Sequence, residues 1–237
     1  MHLPAIEQST RVSEIFSSLQ GEGLYIGQRH LFIRFEGCHL HCQYCDESEK
    51  PAIMMSLDGV MAKAIQMDQA NGPHQYVSLT GGEPLMNLTF IKPLMMRLKE
   101  ARFRVFLETN GVLWQALREV VEWCDCIAMD MKLASVTGER SFKIEHEQFL
   151  RVAKSRDVFI KMVISRGVDV EEFEDLVRIV AEVDATRPVI LMPVSSQCEG
   201  HEDPGLMQIL ESMQRIGSRF VPDIRIIPRL HKILKIP

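Results

Sequence analysis

The sequence has no long apolar run. A helix that spans a bilayer needs roughly 20 consecutive apolar residues, and no stretch approaches that. Nor is there an excess of basic charge: 27 Lys and Arg stand against 32 Asp and Glu, a net charge of −5, so a strongly basic nucleic-acid surface is not indicated. Neither a membrane nor a nucleic acid is therefore an expected partner. The opening residues, MHLPAIEQSTRVSE, lack the charged start and apolar core of a secretory leader, and a cytoplasmic protein is expected. Internal repeats, low-complexity tracts and Pro/Gly/Ser-rich linkers are also missing, so residues 1–237 are read as a single domain. With six cysteines and no secretory context, metal or redox chemistry is a better reading than a disulfide framework.

Apolar residues make up 46% of the chain and charged residues 25%, the composition of an ordinary globular protein. Apolar, β-rich runs recur at 30–37, 76–80, 103–109, 126–132, 158–164 and 188–194, and a late run at 223–228 adds an edge strand. Between them, apolar residues at three- and four-residue spacing predict helices over 56–70, 87–101, 168–183 and 204–216, with Pro93 near the first turn of the second. Alternating strands and helices imply an α/β fold with parallel strands and crossover helices. Six such strands suggest an open or partial (β/α)6-type barrel. Chemistry is then expected at the C-terminal ends of the strands. Polar or glycine-rich turns follow the strands directly: Cys38 after the first, TGGEP (80–84) after the second, ETNG (108–111) after the third, DMK (130–132) at the end of the fourth.

The stretch GCHLHCQYCDES (37–48) sets Cys38, Cys42 and Cys45 in a CxxxCxxC spacing. Structural zinc normally takes four ligands, and His39 or His41 is available as a fourth. No second CxxC pair lies nearby, and Cys124, Cys126 and Cys198 are read as packing or incidental thiols. The other reading is an iron–sulfur cubane. Three protein thiolates leave one of its four irons open to an outside ligand, which turns an electron carrier into a catalyst.

The cysteine motif, with Tyr44 just before its last member, resembles the signature of the radical S-adenosylmethionine superfamily, and TGGEP resembles that superfamily's glycine-rich turn. The resemblance implies a [4Fe-4S] cluster on Cys38, Cys42 and Cys45 whose open iron binds S-adenosylmethionine, with one-electron cleavage to a 5′-deoxyadenosyl radical. An external reductant, a flavodoxin or ferredoxin, supplies that electron.

A narrower resemblance lies upstream. The stretch SEIFSSLQGEGLYIGQRHLFIRFEGC (13–38) is similar to the opening of the 7-carboxy-7-deazaguanine synthases, through Glu14, Ile15, Phe16, Leu19 to Gly23, Gly27, Arg34, Gly37 and Cys38. It continues through TGGEP and ETNG and resumes at LHKILKIP. That family converts 6-carboxy-5,6,7,8-tetrahydropterin to 7-carboxy-7-deazaguanine with loss of ammonia, on the route to queuosine and other 7-deazapurines. The resemblance assigns the pterin to Leu19, Gln20, Gly21, Glu22, Arg34, Thr80, His231 and Pro237. Glu22 accepts from the guanidine-like edge, Arg34 pairs with the carboxylate, and the terminal carboxylate at Pro237 bonds the N–H edge. S-adenosylmethionine falls to Gly81, Gly82, Glu83, Glu108, Asn110, Asp130, Met131, Lys132, Met192, Pro193, Val194 and Ser195. Asp130 stands where the family has the serine of SPK, and Met192 where it has glutamine. Mg²⁺ is a third expected cofactor. Glu47 occupies the position of the family's Thr or Ser ligand, and a carboxylate is a good hard ligand. A homodimer is expected. The alternatives are another radical enzyme, such as a glycyl-radical activase, or a non-enzymatic iron–sulfur or zinc module. The tail RLHKILK (229–235) is read as a solvated or site-closing segment rather than a nucleic-acid contact.

Overall fold

A computed structural model of the protein describes residues 8–45, 50–194 and 204–236. Among them nine strands form one open sheet: β1 (Ser9–Leu19), β2 (Arg29–Phe35), β3 (Ile53–Ser56), β4 (Tyr76–Gly81), β5 (Val105–Thr109), β6 (Cys126–Asp130), β7 (Asp157–Ile164), β8 (Val189–Pro193) and β9 (Ile224–Ile226). Their spatial order is β3-β1-β2-β4-β5-β6-β7-β8-β9. From β2 onward every neighbouring pair is parallel. The helices are α1 (Leu57–Asn71), α2 (Leu88–Glu100), α3 (Trp114–Arg118), α4 (Ala134–Thr137), α5 (Lys143–Ala153), α6 (Val170–Asp184), α7 (Pro204–Gly217) and α8 (Leu230–Leu234). This is the expected α/β sheet of parallel strands, and it is not closed: β3 and β9 are its edges.

The strands form where the sequence is continuously apolar. In β7 every residue from Val158 to Ile164 is buried, as parallel strands covered on both faces require. Leu31, Ile33, Val77, Leu79, Phe106 and Ile160 are fully enclosed in one core that runs from Val12 to Ile224. Each such side chain contributes about 1.5–3 kcal/mol relative to exposure. Helix starts follow from capping: the Ser56 hydroxyl accepts from the Gly59 N–H at 3.2 Å to open α1, and the Asp169 carboxylate accepts from the Glu172 N–H at 2.9 Å to open α6. Among the described residues no helix is long and apolar enough to cross a membrane.

The structure adds to the sequence reading at one edge. β1 pairs antiparallel with β2, and β3 antiparallel with β1, so the sheet extends two strands beyond the parallel set. His74 ties this edge to α1: its Nδ1 lies 2.7 Å from the Asp68 carboxylate and its Nε2 2.8 Å from the Ser17 hydroxyl on β1. Helices α3, α4 and α5 are further additions. Pro93 is a correction, since it falls in the second turn of α2 rather than near its first. The bond it cannot donate leaves the carbonyl of exposed Thr89 to water, a local cost the helix tolerates.

Candidate active site

Four strand ends converge, those of β2, β4, β5 and β6. Register partners on neighbouring parallel strands point to the same face, which puts Arg34 beside Thr80 and Asp130 beside Lys161. The turn after β4 is seated on the chain leading into Cys38. The Gly82 N–H donates to the Phe35 carbonyl at 3.0 Å and the Glu83 N–H to the Gly37 carbonyl at 2.8 Å. Side chains do not fit in this approach. A Cβ on Gly81, whose φ is +117°, would lie 2.1 Å from the Phe35 carbonyl oxygen, and one on Gly82 would lie 1.9 Å from that of Gly37. Glu83 turns inward and accepts from the Leu85 N–H (3.1 Å), the Thr109 hydroxyl (2.9 Å) and the Asn110 N–H (2.7 Å). Burial pushes its carboxyl up to about 7 against those bonds. Glu83 thus clamps the β4 turn to the β5 turn.

The cysteine loop lies over these turns. The Leu40 N–H donates to Cys38 Sγ (3.4 Å), Asn110 Nδ2 approaches the same sulfur at 3.8 Å, and the Gln43 N–H donates to the Thr137 carbonyl at 2.9 Å. Leu40, Val112 and Phe142 form a small apolar cluster against which Cys38 and Cys42 pack. Burial raises both thiols above their ordinary range. Cys45 is the exposed member of the three.

Beneath the loop is a cavity of about 200 Å³. Cys38, Cys42 and Cys45 line it, together with Leu19, Gln20, Gly21, Glu22, Arg34, Thr80, Gly81, Gly82, Glu108, Asn110, Asp130, Lys132 and His231. Its charges are paired. Lys132 Nζ lies 2.9 Å from the Asp130 carboxylate and 3.4 Å from the Tyr44 hydroxyl. Burial would raise Asp130, yet Lys132 and Lys161 hold it below the usual carboxylate range. Lys161 Nζ meets Glu22 at 2.7 Å and Asp130 at 3.4 Å, and Arg229 Nε meets Glu22 at 3.1 Å. Glu108 accepts from Gln20 Nε2 (2.9 Å) and the Thr80 hydroxyl (3.4 Å), and burial raises its carboxyl. Glu108 therefore sits among residues assigned to the pterin, although the sequence reading set it with S-adenosylmethionine. Arg34 is ion-paired with Glu14 and stacks 4.9 Å from the centroid of the Phe16 ring.

Five assigned residues do not line the cavity. Glu83 is the clamp described above. Met131 and Met192 are each 1% exposed and belong to the core, and Pro193 and Val194 continue β8 beyond the lining. Glu47, Ser195, Cys198 and Pro237 lie outside the described residues. His39 and His41 do not line the cavity. Sequence reasoning missed Lys161, Arg229 and the stacked pair Phe16–Phe32, whose ring centroids are 4.9 Å apart. A lone lysine inside the apolar strand VFIKMVI was the available signal for Lys161.

The donor set fits a cubane. Among the described residues no three His, Cys, Asp or Glu side chains close around a single ion. A cubane asks for wider spacing, because each cysteine binds a different iron. Three thiols lining one cavity, with an apolar cluster against two of them, meet that need.

Residues 32–184 match the model of the Radical SAM superfamily, and the chain belongs to it. The superfamily implies S-adenosylmethionine and a [4Fe-4S] cluster. Over 94% of its length the chain is 34% identical to the 7-carboxy-7-deazaguanine synthase of Geobacter sulfurreducens, covering 96% of that protein. It is 30% identical to the synthase of the same name from Methanopyrus kandleri, with 94% and 92% covered. Within the superfamily, then, the chain belongs to the 7-carboxy-7-deazaguanine synthases. Its fold is similar to the crystal structure of QueE from Escherichia coli, with a TM-score of 0.63 and 21% identity over 94% of this chain and 95% of that one.

Proposed function

We propose that the chain converts 6-carboxy-5,6,7,8-tetrahydropterin to 7-carboxy-7-deazaguanine with release of ammonia. The observation that carries this is one cavity lined both by the three-cysteine loop and by the donor–acceptor set Gln20, Glu22, Arg34 and Thr80. The bound cluster and S-adenosylmethionine supply radical initiation. The protein supplies position and exclusion of water. Phe16 and Phe32 offer a flat apolar wall to the ring system. Arg34 has five donors, so its ion pair with Glu14 leaves others for the substrate carboxylate. Glu22 accepts from the amino edge, and the Thr80 hydroxyl bonds the ring from the opposite strand. The ion pair of Asp130 and Lys132 offers both signs of charge to the amino acid moiety of S-adenosylmethionine.

Mg²⁺ joins the substrate through Glu47 in this reading. Cys45, on the exposed side of the loop, supports electron entry there from a flavodoxin or ferredoxin. Ile53 and Met54, 67% and 59% exposed on the outer strand β3, support a homodimer, which sedimentation velocity checks. A cytoplasmic location suits a reducible cluster, and cell fractionation tests it. The deciding experiment is anaerobic turnover of the reconstituted enzyme with the carboxytetrahydropterin, followed by mass and absorbance. Absence of the deazaguanine product, while S-adenosylmethionine is still cleaved, would assign the chain to another radical reaction.

A further inference from the structure

Lys161 interrupts a strand that is otherwise apolar and buried, and it is itself 4% exposed. A buried ammonium is costly unless it is paired. Here it is held between two carboxylates from different parts of the chain, Glu22 in the turn after β1 and Asp130 at the end of β6. All three side chains line the cavity. The consequence for Glu22 is chemical. Burial would raise its carboxyl, yet Lys161 and Arg229 together hold it well below the usual carboxylate range. An ionised carboxylate accepts hydrogen bonds and donates none, and each oxygen keeps a lone pair for a ligand. Of the two cations, Arg229 comes from the segment after β9, whereas Lys161 stands on a central strand.

We propose that Lys161 is a specificity-determining residue: paired with Glu22 across the cavity floor, it commits that carboxylate to accepting, so the cavity selects an N–H-rich aminopyrimidinone edge over the corresponding dione. The inference rests on the reading of this cavity as a pterin site and deepens it. An aminopyrimidinone turns an amino group and a ring N–H toward the carboxylate. The dione replaces the amino group with a carbonyl, so two acceptors face each other and neither is satisfied. Without the lysine charge, Arg229 and His231 are left to offset the cost of burying the Glu22 carboxylate, and the balance moves toward its protonated form. A protonated carboxyl donates as well as accepts, and both edges then suit it.

The test is calorimetric titration of the cluster-bearing protein, without S-adenosylmethionine, using 7-carboxy-7-deazaguanine and its dione counterpart 7-carboxy-7-deazaxanthine. The wild-type protein is expected to prefer the first by about tenfold or more, the worth of one charge-assisted hydrogen bond. Lys161→Met and Lys161→Gln are expected to cut that ratio to about threefold or less, and Lys161→Arg to keep it. Glu22→Gln, whose amide both donates and accepts, loses the preference in the same way and does not depend on how the lysine variants fold. A lysine that only stabilised the sheet would weaken both ligands equally and leave the ratio intact; that result, or retained preference in Glu22→Gln, overturns the proposal. If the wild-type protein binds neither ligand, the pterin-site reading fails and the proposal fails with it.

Discussion

Cys38, Cys42 and Cys45 differ from Cys124 and Cys126 in what surrounds them. The first three line a cavity; the other two are enclosed by the core, where burial pushes Cys124 up to about 12 and its thiol donates only to the Val120 carbonyl at 3.7 Å. Replacing any of the first three by Ala is expected to abolish S-adenosylmethionine cleavage and the cluster's visible absorbance. Cys124→Ala keeps both and costs on the order of 1 kcal/mol in stability for the small cavity left behind. A Cys42→Ala protein that held a full cluster and cleaved S-adenosylmethionine would sink the ligand assignment. Glu47 gives a finer test. Glu47→Ala is expected to lower Mg²⁺-dependent turnover with iron content unchanged, while Glu47→Thr, which supplies a hydroxyl ligand, keeps activity. Unaltered Mg²⁺ dependence in the Ala variant would remove Glu47 from the metal. The cavity residues legible in the sequence were those in motifs: Leu19 to Glu22, Arg34, the cysteines, TGG, Glu108 with Asn110, Asp130 with Lys132, and His231 in the tail. Lys161 and Phe32 were hidden because they sit inside strands, where apolar pattern alone does not reveal which face is the site.

Helix α5 shows why some elements escaped the sequence reading. Its buried residues His146, Phe149, Leu150 and Ala153 follow the i, i+3, i+4, i+7 spacing of a core-facing helix, but the first is a histidine, so the apolar count falls short. β1 escaped for a related reason: Thr10 and Ser18 occupy buried positions on it, which blurs the alternation expected of a strand. The parallel strands were legible because both their faces are covered and they read as plain apolar runs. His146 is fully buried for a purpose. Its Nδ1 donates to the Gly111 carbonyl and its Nε2 accepts from the Lys132 N–H, each at 2.9 Å, so one ring joins the β5 turn to the β6 turn. Burial lowers its pKa to about 4. An unfolded histidine takes up a proton near 6.5, so stability is full above that pH and falls as the pH drops toward 4. At pH 5 the loss from this group is about 2 kcal/mol. His30, also lowered to about 4 by burial, adds a loss of the same sign. In His146→Gln, the loss of stability between pH 7 and pH 5 should therefore be smaller than in the wild type by about 2 kcal/mol. An unchanged difference would mean that this ring is not neutral in the folded protein.

The whole molecule is closed by a contact between its two ends. The turn after β1 and the segment leading into α8 are about two hundred residues apart in sequence, yet they meet in the cavity wall. The Leu230 N–H donates to the Gly21 carbonyl at 2.8 Å, Arg229 pairs with Glu22 at 3.1 Å, and the His231 ring lies directly over Gly21. That last contact leaves no room for a methyl group: a Cβ on Gly21 would stand 2.1 Å from His231 Nδ1. Gly21→Ala is therefore expected to displace the tail while leaving β1 in place, because the clash is with a side chain from the other end of the chain. Losing His231 from the wall, and the pairing of Arg229 with Glu22, should weaken binding of the deazaguanine product about tenfold. Affinity for S-adenosylmethionine should fall by less, because the tail bonds Gly21 and Glu22 and acts on Asp130 through the shared Lys161 rather than directly. Leu230→Pro provides the control. Residue 230 is the first of α8, where a helix needs no N–H of its own, and Arg229 is already extended as a residue before proline must be. This substitution removes the hydrogen bond to Gly21 without the steric push, and a smaller loss in the same direction is expected. Equal weakening of product and S-adenosylmethionine in Gly21→Ala would show that the turn had collapsed as a whole. No weakening of either would show that the tail, although packed on the turn, takes no part in holding the ligand.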